Sequence, residues 1–174
     1  MRQHTALLTL LPVLLNSAPA QAIGVRAGAE VPYFQVRDLT ERLRTSREFA
    51  GRRTLVVAIA SPDAGDAMHV WLTTMERHVP PGSVRIIALL ALDLPFYAPW
   101  GLVAGMAREQ VPAEHWADTW LDRGGVLQRV LGLDPHSHRP YVFVLDAQGQ
   151  VVTLIHGPMG GGNTTSIGSA LIER

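Results

Sequence analysis

Residues 54–69 read TLVVAIASPDAGDAMH, and this stretch decides the fold class. Its first seven residues are almost all apolar and rich in β-branched side chains, which predicts a strand covered on both faces. A turn at Ser61 interrupts the pattern, after which Met68, Trp71 and Met75 recur at helical spacing. Because many α/β proteins keep their functional groups in a turn between a buried strand and a helix, this turn is the first candidate site.

The rest of the chain continues the alternation of strands and helices, without repeats or linkers. We expect an edge strand at 31–36, a helical turn at 45–51, a buried strand at 84–92, a short helix at 102–108, a short strand at 120–122, a helix at 126–131, a hairpin at 141–155, and a last helix capped by Thr164 or Thr165. Gly149 occupies the hairpin position that needs a positive φ. This order predicts a single α/β domain with a central mixed sheet flanked by helices.

The N-terminus has the three parts of a secretory signal. Arg2 precedes the apolar run of residues 6–15, and Ala20-Gln21-Ala22 fits the small-x-small cleavage pattern. The run is too short to be a permanent transmembrane helix. The alternative, a buried N-terminal helix, would place a proline in the helix interior. We therefore expect a signal peptide at 1–22, a mature domain at 23–174, and a periplasmic or secreted protein with no membrane span after cleavage.

The composition excludes several classes of function. The 174 residues carry a formal net charge of zero, so the sequence has no basic footprint for nucleic acid or anionic lipid. The chain contains no cysteine. This excludes thiol nucleophiles, disulfide exchange, thiolate-bound zinc and iron–sulfur clusters. The domain must be held together by packing alone, since it has no disulfides.

Four motifs, taken in order, resemble the thioredoxin-like superfamily. They are the buried strand ending at Ser61, the Asp122-x-Gly-Gly segment before a short helix, Pro140 at the start of the hairpin, and the Asp146-x-x-Gly turn. The pattern is similar to the exported redoxin and TlpA-type branch, whose inserted helix would lie in residues 95–118, and the layout is similar to the cysteine-free YtfJ family. The resemblance implies a thioredoxin-like fold over nearly the whole mature chain and a cis peptide bond at Pro140.

The chain departs from that superfamily at the redox site. Redoxins place Cys-x-x-Cys at the start of the helix, where the helix dipole lowers the pKa of the first thiol. Residues 61–66 offer no thiol, and the Ser61 hydroxyl has no adjacent base in the sequence. The same residues are similar to the Cys-Pro-Asp-x-Cys-Pro loop of the copper-handling Sco family, with Ser61 and Gly65 at the cysteine positions. This resemblance implies that His138 or His136 stands where that family has its copper-binding histidine.

Each candidate site also has a purely structural interpretation. Ser61-Pro62-Asp63 is either part of a binding surface or an ordinary turn in which Asp63 caps the helix. His136 and His138 would point the same way on a strand and, with Met68 or His69, could bind copper, nickel or zinc. The alternative for these histidines is a solvated loop.

The sequence thus predicts an exported thioredoxin-fold protein without thiol redox activity and without catalytic residues. We expect a binding or accessory module that holds an exported protein or peptide partner on the former active-site turn, formed by Ser61, Pro62, Asp63 and Gly65, together with Pro140. No cofactor is expected, because losing two thiolate ligands should abolish tight Cu(I) binding. The alternative is a Sco-like carrier of copper or another transition metal that uses His136, His138 and His69.

Overall fold

A computed structural model of the chain describes residues 24–95 and 97–172. The signal peptide expected at residues 1–22 lies outside these residues. The described part forms seven strands and four α-helices. In chain order they are β1 (Gln35–Asp38), β2 (Leu43–Thr45), β3 (Thr54–Ile59), α1 (Gly65–His78), β4 (Arg85–Ala91), α2 (Trp100–Gln110), β5 (Thr119–Asp122), α3 (Val126–Leu131), β6 (Tyr141–Leu145), β7 (Val151–His156) and α4 (Gly161–Ile172).

The seven strands form one mixed sheet in the order β2-β1-β5-β4-β3-β6-β7. Strands β3, β4 and β5 are parallel, β1 pairs antiparallel with β5, and β6 pairs antiparallel with β3. Helix α1 links β3 to β4, and α2 lies in the longer connection from β4 to β5. The carboxyl ends of the three parallel strands therefore share one edge of the sheet, which is where open α/β sheets bind their ligands.

Helices pack on both faces of the sheet, and β3 is buried along its whole length, as predicted. On one face Val56 belongs to the same core cluster as Leu127 of α3. On the other face Val57 belongs to the cluster that includes Trp71 of α1. The Trp71 ring is fully buried, and its indole N–H donates to the carbonyl oxygen of Gly157 at 3.0 Å. This hydrogen bond ties α1 to the end of the C-terminal hairpin.

The N-terminal strand differs from its prediction, because it starts later and does not form the edge of the sheet. The cause is Asp38, whose Oδ1 accepts the backbone N–H groups of Thr40 at 2.8 Å and Arg42 at 3.0 Å. These bonds close a tight turn that folds the unpredicted strand β2 back onto β1. Arg44 Nε donates to Asp38 Oδ2 at 2.8 Å, so the buried carboxylate is paired. Burial raises the pKa of Asp38, but hydrogen bonds from Thr40 and Arg44 outweigh it, and the pKa lies below its usual value.

The last helix also differs from its prediction. Helix α4 begins at Gly161, so Thr164 and Thr165 lie inside it, and their hydroxyls donate to the carbonyl oxygens four residues earlier at 3.0 Å. Neither threonine is the cap. The hairpin is confirmed, with Gly149 at φ 82°. None of the helices in the described ranges is long and apolar enough to cross a membrane.

Candidate functional site

The turn between β3 and α1, residues 61–65, will be called the Ser61 turn. Ser61 is extended, with φ −134° and ψ 143°, and its Oγ accepts the backbone N–H of Asp63 at 3.3 Å. Pro62 begins a 3₁₀ turn that leads directly into α1, where its fixed φ suits the first helical position. The expected role of Asp63 as a cap is therefore wrong, because Ser61 occupies that position and the Asp63 side chain is 68% exposed.

His138 reaches the Ser61 turn from the loop that precedes β6. Its Nδ1 lies 3.1 Å from Asp63 Oδ2, within hydrogen-bond distance. Both side chains are largely exposed, so water screens the pair and it contributes little to stability. The contact nevertheless joins two loops that are distant in sequence. We call the resulting surface the former active-site face, and it consists of Ser61, Pro62, Asp63, Gly65, His138 and Pro140.

Pro140 opens β6 beside the end of β3, as predicted, since the register pairs Tyr141 with Ala58. The expectation of a cis bond at Pro140 is wrong, because no peptide bond within residues 24–95 and 97–172 is cis. A trans bond before proline is favoured by about 0.5–1 kcal/mol when the surroundings do not demand the other form. Here the carbonyl oxygen of Pro140 accepts the N–H of Gly157 at 3.0 Å, which extends the β6–β7 ladder with the trans bond in place.

A second set of contacts, which the sequence did not predict, holds the loop before β6. Ser137 Oγ lies 2.7 Å from His156 Nε2 at the end of β7. The His156 ring stacks on Tyr141, with centroids 4.0 Å apart and planes 5° from parallel. The Tyr141 hydroxyl accepts the backbone N–H of Asp134 at 3.1 Å. These bonds fix the loop to the hairpin and so fix where His138 can lie.

The side chain of Gln128 contacts the ends of two strands at the same edge of the sheet. Its Nε2 donates to the carbonyl oxygen of Ala91 at 2.8 Å and to that of Ala60 at 3.3 Å. These carbonyls lie at the carboxyl ends of β4 and β3, and Ala60 immediately precedes the Ser61 turn. The side chain is buried, so its two donors have no access to bulk water. One sequence signal for this role was available: Gln128 and Arg129 are the two polar residues in the otherwise apolar α3.

The Asp122-x-Gly-Gly segment precedes a short helix, α3, as predicted, and Asp122 contacts the start of that helix. Its Oδ1 accepts the N–H of Gly124 at 2.9 Å, and its Oδ2 accepts the N–H of Leu127 at 2.7 Å. Gly125, at φ 65°, supplies the left-handed residue that precedes the helix. A Cβ at that position would lie 3.2 Å from Nη1 of the flexible Arg129 side chain and 3.4 Å from Gln128 Oε1, so the positive φ, more than a lack of space, favours glycine here.

The three histidines considered as metal ligands do not gather into one group. His136 and His138 lie in a loop, which was the alternative to the strand position that the metal interpretation needed, and His69 is on the exposed side of α1. His69 is exposed because Met68 and Trp71 face the core, and at about 100° per residue the two positions between them are turned outward. The described part of the chain has no group of three or more histidine or acidic side chains placed to hold a metal ion. Of these three histidines, His138 alone lies within 4.0 Å of a carboxylate in the part of the chain that the structure describes.

The chemistry available at this face is limited by its residue types. The sequence has no cysteine, and Gly65 has no side chain where a second thiol would stand. The Ser61 hydroxyl is engaged with the Asp63 backbone, and no base contacts it among the residues that the structure describes. The face therefore offers hydrogen-bond donors, acceptors and charges, but no activated nucleophile.

Solved structures similar to this one are thioredoxin-like proteins. A protein from Chlorobium tepidum assigned as the thiol:disulfide interchange protein DsbE has a TM-score of 0.60 and 19% identity, covering 85% of this chain and 99% of that one. The exposed lipoprotein thioredoxin Etrx1 from Streptococcus pneumoniae has a TM-score of 0.57 and 12% identity, covering 80% and 98%. BsSco, of the Sco family of cytochrome c oxidase assembly proteins, has a TM-score of 0.57 and 14% identity, covering 83% and 95%. No protein-family model and no curated protein sequence matches the chain.

These similarities confirm the predicted fold. The chain has a thioredoxin-like fold with a mixed sheet flanked by helices and an inserted helix, α2, before the C-terminal hairpin. These three proteins are described as a thiol:disulfide interchange protein, a thioredoxin and a Sco protein with a disulfide switch, whereas this chain has no cysteine. The fold is thus present without the side chains that perform disulfide exchange.

Proposed function

We propose that this protein is an exported binding or accessory module that holds a protein or peptide partner on the former active-site face, without thiol redox chemistry. The observation that carries the proposal is the approach of His138 to Asp63, at 3.1 Å, which joins two loops into one surface. That surface lies at the carboxyl edge of the parallel strands. Loops held on a rigid scaffold are the usual location of binding residues.

The hydrogen bonds of Gln128 and Ser137 favour binding because they hold the former active-site face in one conformation before a partner arrives. Gln128 fixes the ends of β3 and β4, and Ser137 fixes the loop that carries His138. A surface that is already ordered loses less conformational entropy when a partner binds. The loops themselves remain accessible, since Pro62, Asp63 and His138 are exposed.

The polar character of the face indicates what kind of segment it suits. Asp63 supplies a carboxylate, His138 an imidazole and the neighbouring exposed Arg139 a guanidinium, while the Pro62 ring adds a small apolar surface. Both signs of charge and both donors and acceptors are present within a short stretch. This combination suits a polar segment of a partner better than an apolar helix, whose binding grooves are hydrophobic.

Export of the protein is part of the proposal. It rests on the signal pattern of residues 1–22 and agrees with the description of Etrx1 as an exposed lipoprotein. Cell fractionation followed by mass spectrometry of the purified protein tests it. We expect a mature chain that begins near Ile23 outside the cytoplasm. A cytoplasmic chain that retains residues 1–22 would contradict this part of the proposal.

The binding role is tested by comparing two triple variants in a pull-down from extracts of cells that naturally make the protein. The face variant carries Pro62→Ala, Asp63→Asn and His138→Gln, all at exposed positions. The matched control carries Pro81→Ala, Glu109→Gln and His78→Gln, which are also exposed but lie beyond the opposite edge of the sheet.

The wild type and the control variant should recover the same discrete partner, and the face variant should lose it. Circular dichroism and thermal unfolding must show that all three proteins are equally folded. Recovery of the same partner by the face variant would rule out the former active-site face as its binding site.

A second candidate function is a metal carrier, and the position of His138 beside the Ser61 turn favours it. The resemblance to the Sco family implies a histidine at this place, and Asp63 adds one oxygen ligand. An imidazole and a carboxylate suit Cu(II) or Zn(II) better than Cu(I), which prefers sulfur ligands. Isothermal titration calorimetry with Cu(I), Cu(II) and Zn(II), on the wild type, His138→Gln and the control His78→Gln, tests this function. Binding no tighter than micromolar for all three ions would eliminate it.

A further inference from the structure

A cleft of about 540 Å³ lies where β1, β2, the end of β5 and the start of α2 meet. It is separate from the former active-site face, because β4 and β5 lie between β3 and β1 in the sheet. Its volume is within the range of about 300–1,000 Å³ that is typical of small-molecule sites. One part of its lining is apolar, formed by Leu43, Trp100 and Leu121, and another carries hydrogen-bond donors, from Gln35, Arg37 and Arg123.

The apolar part of the lining includes one strongly exposed leucine side chain. Leu43 is on the edge strand β2 and is 57% exposed, whereas Leu121, on β5, is buried. Trp100 lies at the first position of α2 and is one of the residues that line the cleft. An exposed leucine beside an indole ring provides an apolar surface against which a ligand's body can pack.

The polar part has more donors than the protein uses. Arg37 donates from Nη1 to the Glu41 carbonyl oxygen at 3.0 Å, and Arg123 donates from Nη1 to the Ala98 carbonyl oxygen. The remaining N–H groups of both guanidinium groups, and the side-chain amide of Gln35, have no hydrogen-bond partner among residues 24–95 and 97–172. A guanidinium group has five N–H donors and no acceptor, so most of this donor capacity faces the cleft or solvent.

The acidic side chain in the lining does not satisfy these donors. Asp122 already accepts the N–H of Gly124 through Oδ1 and the N–H of Leu127 through Oδ2. Its charge is therefore directed to the start of α3. A ligand that complements the cleft must supply acceptors and negative charge next to an apolar group. The fork of a guanidinium group matches the two oxygens of a carboxylate.

We propose that this cleft binds an apolar carboxylate. Arg37 and Arg123 hold the carboxylate, and the apolar body of the ligand packs on Trp100 and Leu43. This chemistry is shared by small free carboxylic acids and by the C-terminal residue of a peptide. The site is independent of the proposed partner-binding face, because it uses none of the residues of that face.

The test is a titration followed by nuclear magnetic resonance, with two ligand pairs that differ only in the carboxylate. One pair is 3-phenylpropanoate and 3-phenylpropanamide, and the other is N-acetyl-Gly-Gly-Phe with a free or an amidated C-terminus. We expect each acid to bind at least about tenfold more tightly than its amide, since a hydrogen bond to a charged group is worth about 1.5–3 kcal/mol. Tighter binding of the peptide acid identifies a peptide C-terminus as the ligand, and tighter binding of 3-phenylpropanoate identifies a small acid.

Three variants locate the site. Arg37→Gln should weaken binding of the acids about tenfold or more and leave the amides unchanged. Leu43→Ser should weaken acids and amides alike, because it removes apolar surface and no charge. Arg47→Gln, an exposed arginine outside the cleft that lies over the Tyr33 ring, is the matched control and should change nothing. Failure of both acids to bind, equal affinity for acids and amides, or undiminished binding by Arg37→Gln would overturn the proposal.

Discussion

Replacing Gln128 by methionine should destabilise the fold and loosen the Ser61 turn at the same time. Methionine has a similar volume and no donor, so the substitution removes the hydrogen bonds to Ala91 at 2.8 Å and to Ala60 at 3.3 Å without opening a large cavity. A buried polar group that loses its partner costs about 1–3 kcal/mol. Because the bond to Ala60 is long and contributes less, we expect a total loss of about 2–4 kcal/mol in the free energy of unfolding.

Urea denaturation of both proteins measures this loss, and thermal unfolding should show a Tm lower by roughly 4–16 °C for a domain of this size. Hydrogen exchange supplies a local readout: amides of the Ser61 turn should exchange faster in Gln128→Met, beyond what global destabilisation explains. Gln110→Met, at the exposed end of α2, is the matched control and should stay within about 0.5 kcal/mol of the wild type. A loss below about 0.5 kcal/mol in Gln128→Met, with unchanged exchange at the turn, would refute the supporting role.

Three further predictions concern stability. Asp38→Asn leaves Arg44 without its buried carboxylate and should cost about 3–5 kcal/mol at pH 7 in urea unfolding. Because the folded pKa of Asp38 is lowered, its stabilisation is complete above the unfolded pKa of about 3.9 and is lost as the pH falls below that value. The difference between the two proteins should therefore shrink below about pH 4, and a difference that grows in acid would contradict this sign. Trp71→Phe should cost at least about 1–3 kcal/mol, since it leaves a buried carbonyl oxygen without its donor, and no change in Tm would contradict that role. Asp63→Asn and His138→Gln should each change the free energy of unfolding by less than about 1 kcal/mol, because the pair is exposed; a larger loss would mean that the pair is structural.

The elements that the sequence predicted are those whose pattern is local. Strand β3 is a continuous apolar run, α1 repeats its apolar residues at helical spacing, and the hairpin has a glycine at the one position that needs a positive φ. Strand β2 was missed because its three residues carry no such pattern and are not fully buried. It exists because Asp38 closes the preceding turn, which is a side-chain interaction that no apolar periodicity reveals.

The candidate site was likewise predicted only in part from the sequence. The position of the Ser61 turn followed from the strand and helix around it. The identity of the capping residue did not, because Ser61 and Asp63 are both good N-cap residues and the structure has Ser61 at the N-cap. The contact between Asp63 and His138 depends on the register of β6 against β3, which fixes where the preceding loop lies. The cleft beside α2 likewise combines side chains from three segments that are far apart in sequence, residues 35–43, 100 and 121–123, so its donors could not be grouped before the fold was known.

The most direct measurement of the central claim is site-specific photo-crosslinking in cells that naturally make the protein. A photoreactive phenylalanine analogue replaces His138 on the former active-site face or, as the control, Glu109 near the opposite edge of the sheet. The proposed function predicts a discrete crosslinked product from the His138 position, weakened when Pro62→Ala and Asp63→Asn are added, and no such product from the Glu109 position. The same product from both positions, or none from His138, would contradict a partner-binding role for this face.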